Sequence, residues 1–229
     1  MKLWNGGKGA LSLTFDDGLT CQAEVGIPLL ESRGLRGTFF IVAKNISRCT
    51  DAWIRAAEKG HEIGSHSFGH FKAAKLLTDM DRDAEHAASR NALADVLKTS
   101  ITSYAYPYAM VTPEVEANVR RYYQQARGGH DSPGDLFVSN TKTIYNVPAY
   151  NTCAGNVGEV PALAARAAAT GTWLTLMLHG VGPDTTQFDN ILEPDFDRLL
   201  SAIQDLKEKK GLWVAPFGVV AQNLRDNGR

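Results

Sequence analysis

Five polar residues of this sequence have types and spacings suited to hydrolytic chemistry: Asp16, Asp17, His66, His70 and His179. The aspartates are adjacent, three residues separate the first two histidines, and the last histidine follows an apolar run. Carboxylates and imidazoles bind divalent metals, and histidine also exchanges protons near neutral pH. The set therefore indicates a site that binds a metal and moves protons.

The two aspartates stand at the end of a short apolar segment. Residues 11–15 read LSLTF, an alternation of apolar and small polar side chains that is typical of a buried strand. Successive side chains on extended backbone point in different directions, so one carboxylate can bind a metal while the other moves a proton. Gly18 permits a sharp turn with positive φ. The alternative is a simple Asp-Asp-Gly turn, because Asp and Gly are common turn residues.

The histidines at 66 and 70 form an HxxxH pair. On a helical turn these two positions share one face and are close enough to share one metal. The alternative is a structural role, because histidines also cap helices and donate hydrogen bonds. With a strand-end carboxylate as third ligand, the set becomes two His and one Asp. Such a set leaves positions open for water and substrate, as a catalytic zinc site requires.

The remaining histidines are interpreted individually. His179 follows a very apolar strand, where it is either a structural residue at the mouth of a barrel or a functional one. We expect His61 and His86 at the surface. His130 lies beside Asp131 in a glycine-rich loop and is an alternative site residue.

Strands and helical segments alternate along the chain. Apolar and β-branched runs predict strands at 11–15, 37–42, 61–65, 101–106, 122–127, 144–149, 172–178 and 212–215. Helical periodicity and capping residues predict helices at 23–33, 52–59, 78–98, 112–121, 160–170 and 194–210, and a further helix at the carboxyl terminus. Strands separated by helices imply a parallel sheet, and seven or eight such units imply a closed or nearly closed (β/α) barrel. The alternative is an open doubly wound sheet, which no glycine-rich dinucleotide fingerprint supports.

A parallel barrel explains how distant residues meet. The carboxyl ends of its strands share one face, where the chemistry of such folds is found. Polar residues follow four of the predicted strands: Asp16 and Asp17 the first, His66 and His70 the third, Tyr108 the fourth and His179 the seventh. We expect all of them to face one cleft.

Composition narrows the class of partner. With 229 residues, 44% of them hydrophobic, the chain is predicted to be one domain spanning residues 1–229. A net charge of −1 and a pI near 6.6 give no electrostatic footprint for nucleic acid or an anionic membrane. We therefore expect a small neutral partner or a polymer bound in a cleft, a soluble chain without membrane insertion, and a monomer. Three scattered cysteines argue against a metal–thiolate site and allow at most one disulfide.

Four short motifs occur in order along the chain: TFDDG at 14–18, HSFGH at 66–70, YPY at 106–108 and LMLH at 176–179. Their order and spacing resemble the polysaccharide deacetylases, the family four carbohydrate esterases that include chitin and peptidoglycan deacetylases. The resemblance extends over nearly the whole chain. The first two motifs together are quite specific, and the last two are informative in that order.

The resemblance implies a distorted (β/α)₇ barrel, similar to a TIM barrel, with parallel strands. It also implies hydrolysis of N-acetyl, sometimes O-acetyl, groups on a glycan such as chitooligosaccharide, peptidoglycan or exopolysaccharide. One divalent ion is implied, with Zn²⁺ the default and Co²⁺, Ni²⁺ or Mn²⁺ as alternatives. By the same resemblance Asp17, His66 and His70 bind the metal, Asp16 is the base and His179 is the acid.

The resemblance also implies substrate-binding groups: the backbone N–H of Tyr108 for the oxyanion and Leu176 for the acetyl methyl group. The chain departs from the family pattern in two places. Ala105 stands where many members carry an arginine that contacts the base, and the acidic motif that tunes the acid is not recognisable at 147–153. We hypothesise that Arg127, at the end of the fifth predicted strand, replaces the missing arginine, because a guanidinium holds a neighbouring carboxylate ionised.

Two other functions remain open at this point. One is an amidohydrolase of the same superfamily that acts on a small cyclic amide or imide. The other is an inactive barrel that only binds carbohydrate, against which the complete set of five polar residues argues. The first ten residues lack the apolar core of a secretory leader. The resemblance implies a secreted or cell-envelope location if a leader has been removed, and a cytoplasmic location otherwise.

Overall fold

The computed structural model describes residues 3–72, 78–129, 135–183 and 189–228. Its centre is a sheet of eight strands: β1 Gly9–Asp17, β2 Thr38–Ile41, β3 Glu62–Ser65, β4 Ser103–Ala105, β5 Gln125–Arg127, β6 Tyr150–Asn151, β7 Trp173–Leu178 and β8 Leu212–Val214. All pairings between these strands are parallel, in the order β5-β4-β3-β2-β1-β7-β6, and β8 also pairs with β1. This arrangement confirms the predicted parallel (β/α) barrel.

β1 is the central strand of this sheet. Residues 10–15 pair with β7, residues 9–11 pair with β8, and residues 14–17 pair with β2. At the far edge an isolated parallel bridge joins Arg127 to Val147, shortly before β6 pairs with β7. The ring of strands is therefore nearly closed, and the ends of β1, β3, β4, β5 and β7 lie on one face of it.

The described residues include seven α-helices: α1 Ile27–Ser32, α2 Thr50–Glu58, α3 Asp79–Leu97, α4 Pro113–Val119, α5 Val160–Thr170, α6 Glu193–Lys210 and α7 Phe217–Asn227. The first six lie between strands in the chain, and α7 follows the last strand. The threonines that begin the predicted helices 78–98 and 112–121 cap them, because Thr78 Oγ1 accepts from Asp81 N at 3.1 Å and Thr112 Oγ1 accepts from Val115 N at 3.3 Å. The predicted helix 23–33 is divided into a π-helical turn, Gln22–Gly26, and α1.

Alternation along β1 separates two cores. Leu11, Leu13 and Phe15 belong to the larger apolar cluster, which the helices cover. The intervening positions face the barrel interior, where Ser12 Oγ donates to Ala215 O at 2.9 Å. A second apolar cluster, which includes Phe40, Trp173 and Phe217, fills that interior. Asp16 has the same parity as Ser12, so its side chain also points inward.

Three sequence predictions are corrected by the fold. The sixth strand is not at 144–149 but at Tyr150–Asn151, because residues 144–146 continue the turn that begins at Thr141–Thr143 and Val147 forms only an isolated bridge. His61 and His86 are buried rather than at the surface, with exposures of 4% and 1%.

Burial favours the uncharged ring of both histidines. Gly37 N donates to His61 Nδ1 at 3.1 Å, and the His86 ring packs against the rings of Tyr104 and Tyr123. Burial lowers the pKa of each histidine to about 4.

His130 and Asp131 lie outside the described residues. No helix in the described ranges is both long enough and apolar enough to cross a membrane.

Candidate active site and metal centre

A buried ion pair joins the ends of β1 and β5. Arg127 Nη2 donates a hydrogen bond to Asp16 Oδ2, with Arg127 fully buried and Asp16 3% exposed. The structure places the Arg127 guanidinium within hydrogen-bond reach of Asp16, as the hypothesis requires. Burial alone would raise the pKa of Asp16, but the positive charge of Arg127, helped by His66 and His179, outweighs it and holds that pKa below its usual value. The carboxylate is therefore ionised at neutral pH.

Arg127 is held in place by further contacts. Its Nη1 donates to Gly128 O at 2.8 Å and lies 2.6 Å from Met177 Sδ, and its guanidinium lies over the Phe40 ring at 5.5 Å. Asp16 Oδ1, in contrast, is buried and has no hydrogen-bond partner among the described residues. One carboxylate oxygen is thus occupied by the arginine, and the other is free to accept a proton or a water.

Three potential metal ligands lie directly beside this pair. Ligand atoms of Asp17, His66 and His70 lie within 4.8 Å of one another. Asp17 Oδ1 is 3.6 Å from His66 Nε2 and 3.3 Å from His70 Nε2. Two atoms bound to a tetrahedral zinc ion at about 2.0–2.2 Å are roughly 3.3–3.5 Å apart, so these separations fit one shared ion. His66 Nε2 is also 3.8 Å from Asp16 Oδ2, which joins the metal cluster to the ion pair.

Two backbone features aim these ligands. Asp17 has a φ of 75°, which turns its side chain away from the strand direction that Asp16 follows. His66 Nδ1 lies 2.9 Å from Ala105 O and donates to it, so Nε2 keeps a lone pair toward Asp17. Burial is the largest influence on His66 and lowers its pKa, which favours the neutral imidazole that a metal requires. The donor set, its spacing and this outer contact all fit a divalent ion.

The HxxxH segment is not the helical turn that the spacing predicted. Residues 66–70 form a loop in which Ser67 and His70 have φ values of 64° and 60°. Ser67 Oγ accepts from His70 N at 2.8 Å, and Glu85 Oε1 accepts from Gly69 N at 2.6 Å. Side-chain acceptors replace the helical hydrogen bonds here, and two left-handed residues bring the imidazoles together.

His179 follows the last residue of β7, as predicted. Its Nδ1 is 4.0 Å from Asp189 Oδ2, and Asn151 Nδ2 donates to the same oxygen at 2.9 Å. Asp189 was not predicted from the sequence, since it follows His179 in the chain whereas the expected acidic motif precedes it. It nevertheless brings a carboxylate to the histidine.

Tyr108 lies beside the metal cluster. Its ring centroid is 4.6 Å from that of His70, its side chain is 56% exposed, and its backbone has a φ of 58°. The turn Pro107–Ala109 therefore brings the ring of Tyr108 against His70.

Leu176 does not reach the site. It pairs with Leu13 in the β1–β7 register and lies fully buried in the helix-covered core. Because side chains alternate along a strand, the next residue, Met177, faces the interior and contacts Arg127. The structure therefore does not bring Leu176 to the site, and the interior-facing side chain at this level of β7 is that of Met177.

Comparisons with known proteins agree with this geometry. The sequence model of the family described as polysaccharide deacetylase matches residues 5–126. The chain is 30% identical over 146 residues to a gellan lyase of Bacillus sp, covering 62% of this chain and 6% of the relative. It is 32% identical over 77 residues to the peptidoglycan-N-acetylglucosamine deacetylase of Bacillus cereus, covering 33% of this chain and 28% of the relative. The chain thus spans less than a third of either relative.

The fold has close structural counterparts. The family 4 carbohydrate esterase of Streptomyces lividans, solved in complex with acetate, superposes with a TM-score of 0.64 at 16% identity. The match covers 91% of this chain and 93% of that one. Agreement at such low identity is evidence for the fold rather than for a shared substrate.

Proposed function

The chain belongs to the polysaccharide deacetylase family, and we propose from this premise that it is a metal-dependent hydrolase that removes acetyl groups from a glycan. The observation that carries the proposal is the free Oδ1 of Asp16. This buried acceptor belongs to an ionised carboxylate that lies beside three convergent metal ligands. Such a combination is suited to a hydrolysis in which a water must be held and deprotonated.

The proposed ligands are Asp17, His66 and His70, and the proposed ion is zinc, because two imidazoles and one carboxylate form a donor set typical of catalytic zinc. When bound, the ion supplies a Lewis acid for the acetyl carbonyl and a more acidic water. His66→Ala should lose metal and activity together. Purified His66→Ala protein with full metal occupancy would overturn the ligand assignment.

Asp16 is the proposed general base. Its Oδ1 accepts a proton from the water that attacks the acetyl carbonyl, while Oδ2 remains hydrogen-bonded to Arg127. The arginine performs two tasks: it orients the carboxylate and keeps it ionised at neutral pH. The backbone N–H of Tyr108, in its left-handed turn, is proposed to donate to the developing oxyanion.

His179 is the proposed general acid. The amine that leaves after carbonyl attack must take up a proton, and histidine is the side chain best suited to supply one near neutral pH. The Asp189 carboxylate lies 4.0 Å from Nδ1, on the ring edge opposite the nitrogen proposed to face the substrate. His179→Ala should lower kcat far more than metal affinity, and an unchanged kcat would assign the acid elsewhere.

We propose an N-acetylated glycan as the substrate, with peptidoglycan and chitooligosaccharide the first choices, because relatives are named peptidoglycan-N-acetylglucosamine deacetylase and chitin deacetylase. The test is acetate release from peptidoglycan, chitooligosaccharide, acetylxylan and an acetylated exopolysaccharide, each with and without a chelator. Acetate release that the chelator abolishes supports the proposal. Carbohydrate binding without release on any substrate would support an inactive barrel, and hydrolysis of a cyclic imide alone would support an amidohydrolase.

A further inference from the structure

One buried side chain connects the backbones of the proposed base and acid. Gln22 is 0% exposed, and its Nε2 donates to Asp16 O at 2.5 Å and to His179 O at 2.9 Å. The paired register of β1 and β7 ends at Phe15 with Leu178, one residue before those two carbonyls. The glutamine amide thus joins the strands at the point where their ladder stops.

The orientation of this amide is not ambiguous. Oxygen and nitrogen of a glutamine amide are assigned from their partners, and both partners here are carbonyl oxygens, which only an NH₂ group can bind. The two hydrogens of Nε2 serve one carbonyl each. The amide oxygen, Oε1, is buried and has no hydrogen-bond partner in the described ranges. Leaving it unpaired costs about 1–3 kcal/mol, so the contact is not explained by stability alone.

Local backbone geometry delivers Gln22 to this position. It is the first residue of the π-helical turn Gln22–Gly26, in which Ile27 N donates to Gln22 O, five residues back. A π turn is wider than an α-helical turn, is rare, and occurs frequently at functional sites. The turn continues directly into α1, a helix that packs on the main core. The pair of hydrogen bonds from Gln22 to Asp16 O and His179 O, called the clasp below, is therefore anchored to that helix.

We propose that Gln22 is a positioning residue that sets the separation of Asp16 and His179. The inference rests on the proposed function, in which one side chain deprotonates water on one side of the acetyl carbon and the other protonates the departing nitrogen. Both must reach the same acetyl group, and a displacement of about 1 Å can lower a rate by roughly 100-fold. Gln22 touches neither substrate nor metal ligand, and acts through the two strand ends.

Gln22→Met tests the clasp, because methionine keeps the volume of glutamine and removes both hydrogen bonds. The matched control is Gln125→Met: Gln125 is also buried, its Oε1 is also unpartnered among the described residues, and its Nε2 donates to Ser103 Oγ at 2.7 Å. Gln125 begins β5, at the opposite end of the barrel from the site.

With an active enzyme, Gln22→Met should lower kcat for acetate release by about 10–100-fold. KM and metal occupancy should change less than about twofold, since the metal ligands and substrate contacts stay in place. Gln125→Met should keep kcat within about twofold at a similar loss of stability. A Gln22→Met enzyme with unchanged kcat overturns the proposal, and so does an equal loss of kcat in both variants.

Amide hydrogen exchange gives a second measurement that does not depend on turnover. Gln22→Met should speed exchange at the carboxyl ends of β1 and β7, and Gln125→Met should not. If wild-type protein releases no acetate from any substrate, the proposed function fails. The exchange result then still tests whether Gln22 holds the ends of β1 and β7 together. Unchanged exchange at both strand ends overturns it. If Gln22→Met does not fold, Gln22→Asn, which is shorter by one methylene and cannot span both carbonyls, replaces it in both measurements.

Discussion

Two buried or partly buried carboxylates, at opposite ends of the barrel, are bound in contrasting ways. Glu62 begins β3, and both of its oxygens are occupied: Oε1 accepts from Ser103 Oγ at 2.5 Å, and Oε2 accepts from Thr38 Oγ1 and Gly218 N, each at 2.8 Å. Asp16, near the end of β1, has one oxygen bound to a charged arginine and the other without a partner.

The difference separates a structural carboxylate from a reactive one. Buried polar atoms are nearly always hydrogen-bonded, so a fully occupied Glu62 is what stability alone predicts. Neutral donors and the N-terminus of α7 hold it, which ties the last helix to the amino end of the barrel. Asp16 is instead kept ionised by one strong charge and retains an acceptor for the reaction. We infer that three features together mark the functional carboxylate: a charged partner, an unpartnered oxygen and the three potential metal ligands beside it.

The largest effect is expected from Asp16→Asn. The amide can still accept from Arg127, but it cannot take a proton, so kcat should fall by about 10²–10⁴-fold. Metal content should not change, because Asp16 is not one of the three clustered ligands. Metal analysis beside acetate-release kinetics measures both quantities.

The companion variant is Asp17→Ala, which should lose metal and activity together, because Asp17 Oδ1 is the atom that both histidines approach. Metal lost from the Asp16 variant and retained in the Asp17 variant would mean that the two carboxylates have exchanged roles.

The next effect is expected from Arg127→Met. Without the guanidinium, burial remains the main influence on Asp16 and raises its pKa, so less of the base is ionised at neutral pH. We expect kcat to fall by about 10–100-fold at pH 7 and to recover as pH rises, which moves the acidic limb of the pH profile upward. A uniform loss at every pH would limit Arg127 to orientation.

Parts of this contrast can be predicted from the sequence. The pairing of Arg127 with Asp16 was hypothesised because Ala105 stands where many members of the resembled family carry an arginine, and because Arg127 ends a predicted strand. Strand alternation also predicts which residue of β7 faces the interior. Once β1 and β7 are paired, Met177 faces the same side of the sheet as Asp16, and Leu176 faces the other side. The barrel itself follows from alternating strands and helices.

Other parts cannot be read from local sequence. Gln22 reaches His179 from a segment far away in the chain, and Asp189 reaches it from the loop that follows β7. No local pattern near either residue indicates these contacts. The spacing of His66 and His70 is compatible with both a helical turn and a loop. The left-handed conformation of Ser67 makes this segment a loop, and residue propensities do not predict a left-handed serine.

A smaller effect, on stability alone, is expected from Glu62→Ala. Removing the carboxylate leaves the Thr38 and Ser103 hydroxyls and Gly218 N without their acceptor, which should lower the free energy of unfolding by about 2–3 kcal/mol. Urea unfolding measures this loss. The kcat of folded enzyme should stay within about twofold, and a large fall in kcat would show that the amino end participates in the reaction.

The smallest expected effect concerns pH and the residue next to Glu62. His61 is buried, and burial first, with the nearby charges of Arg36 and Lys59, lowers its pKa to about 4 from an ordinary value of 6.5. The folded chain therefore keeps this ring neutral between pH 6.5 and 4, whereas the unfolded chain binds a proton there. Stability must then fall as pH decreases through this window, by roughly 1–2 kcal/mol between pH 7 and pH 5.

Protonation would also convert His61 Nδ1 from the acceptor of the Gly37 N–H into a second donor, which gives the same sign. Urea unfolding of wild type and His61→Gln at pH 7 and pH 5 isolates this contribution, since the other titrating groups are common to both proteins. The variant should lose less stability than wild type over the same interval. Equal losses in the two proteins would mean that His61 does not contribute to the acid sensitivity, and that the loss of stability arises from titrating groups elsewhere in the protein.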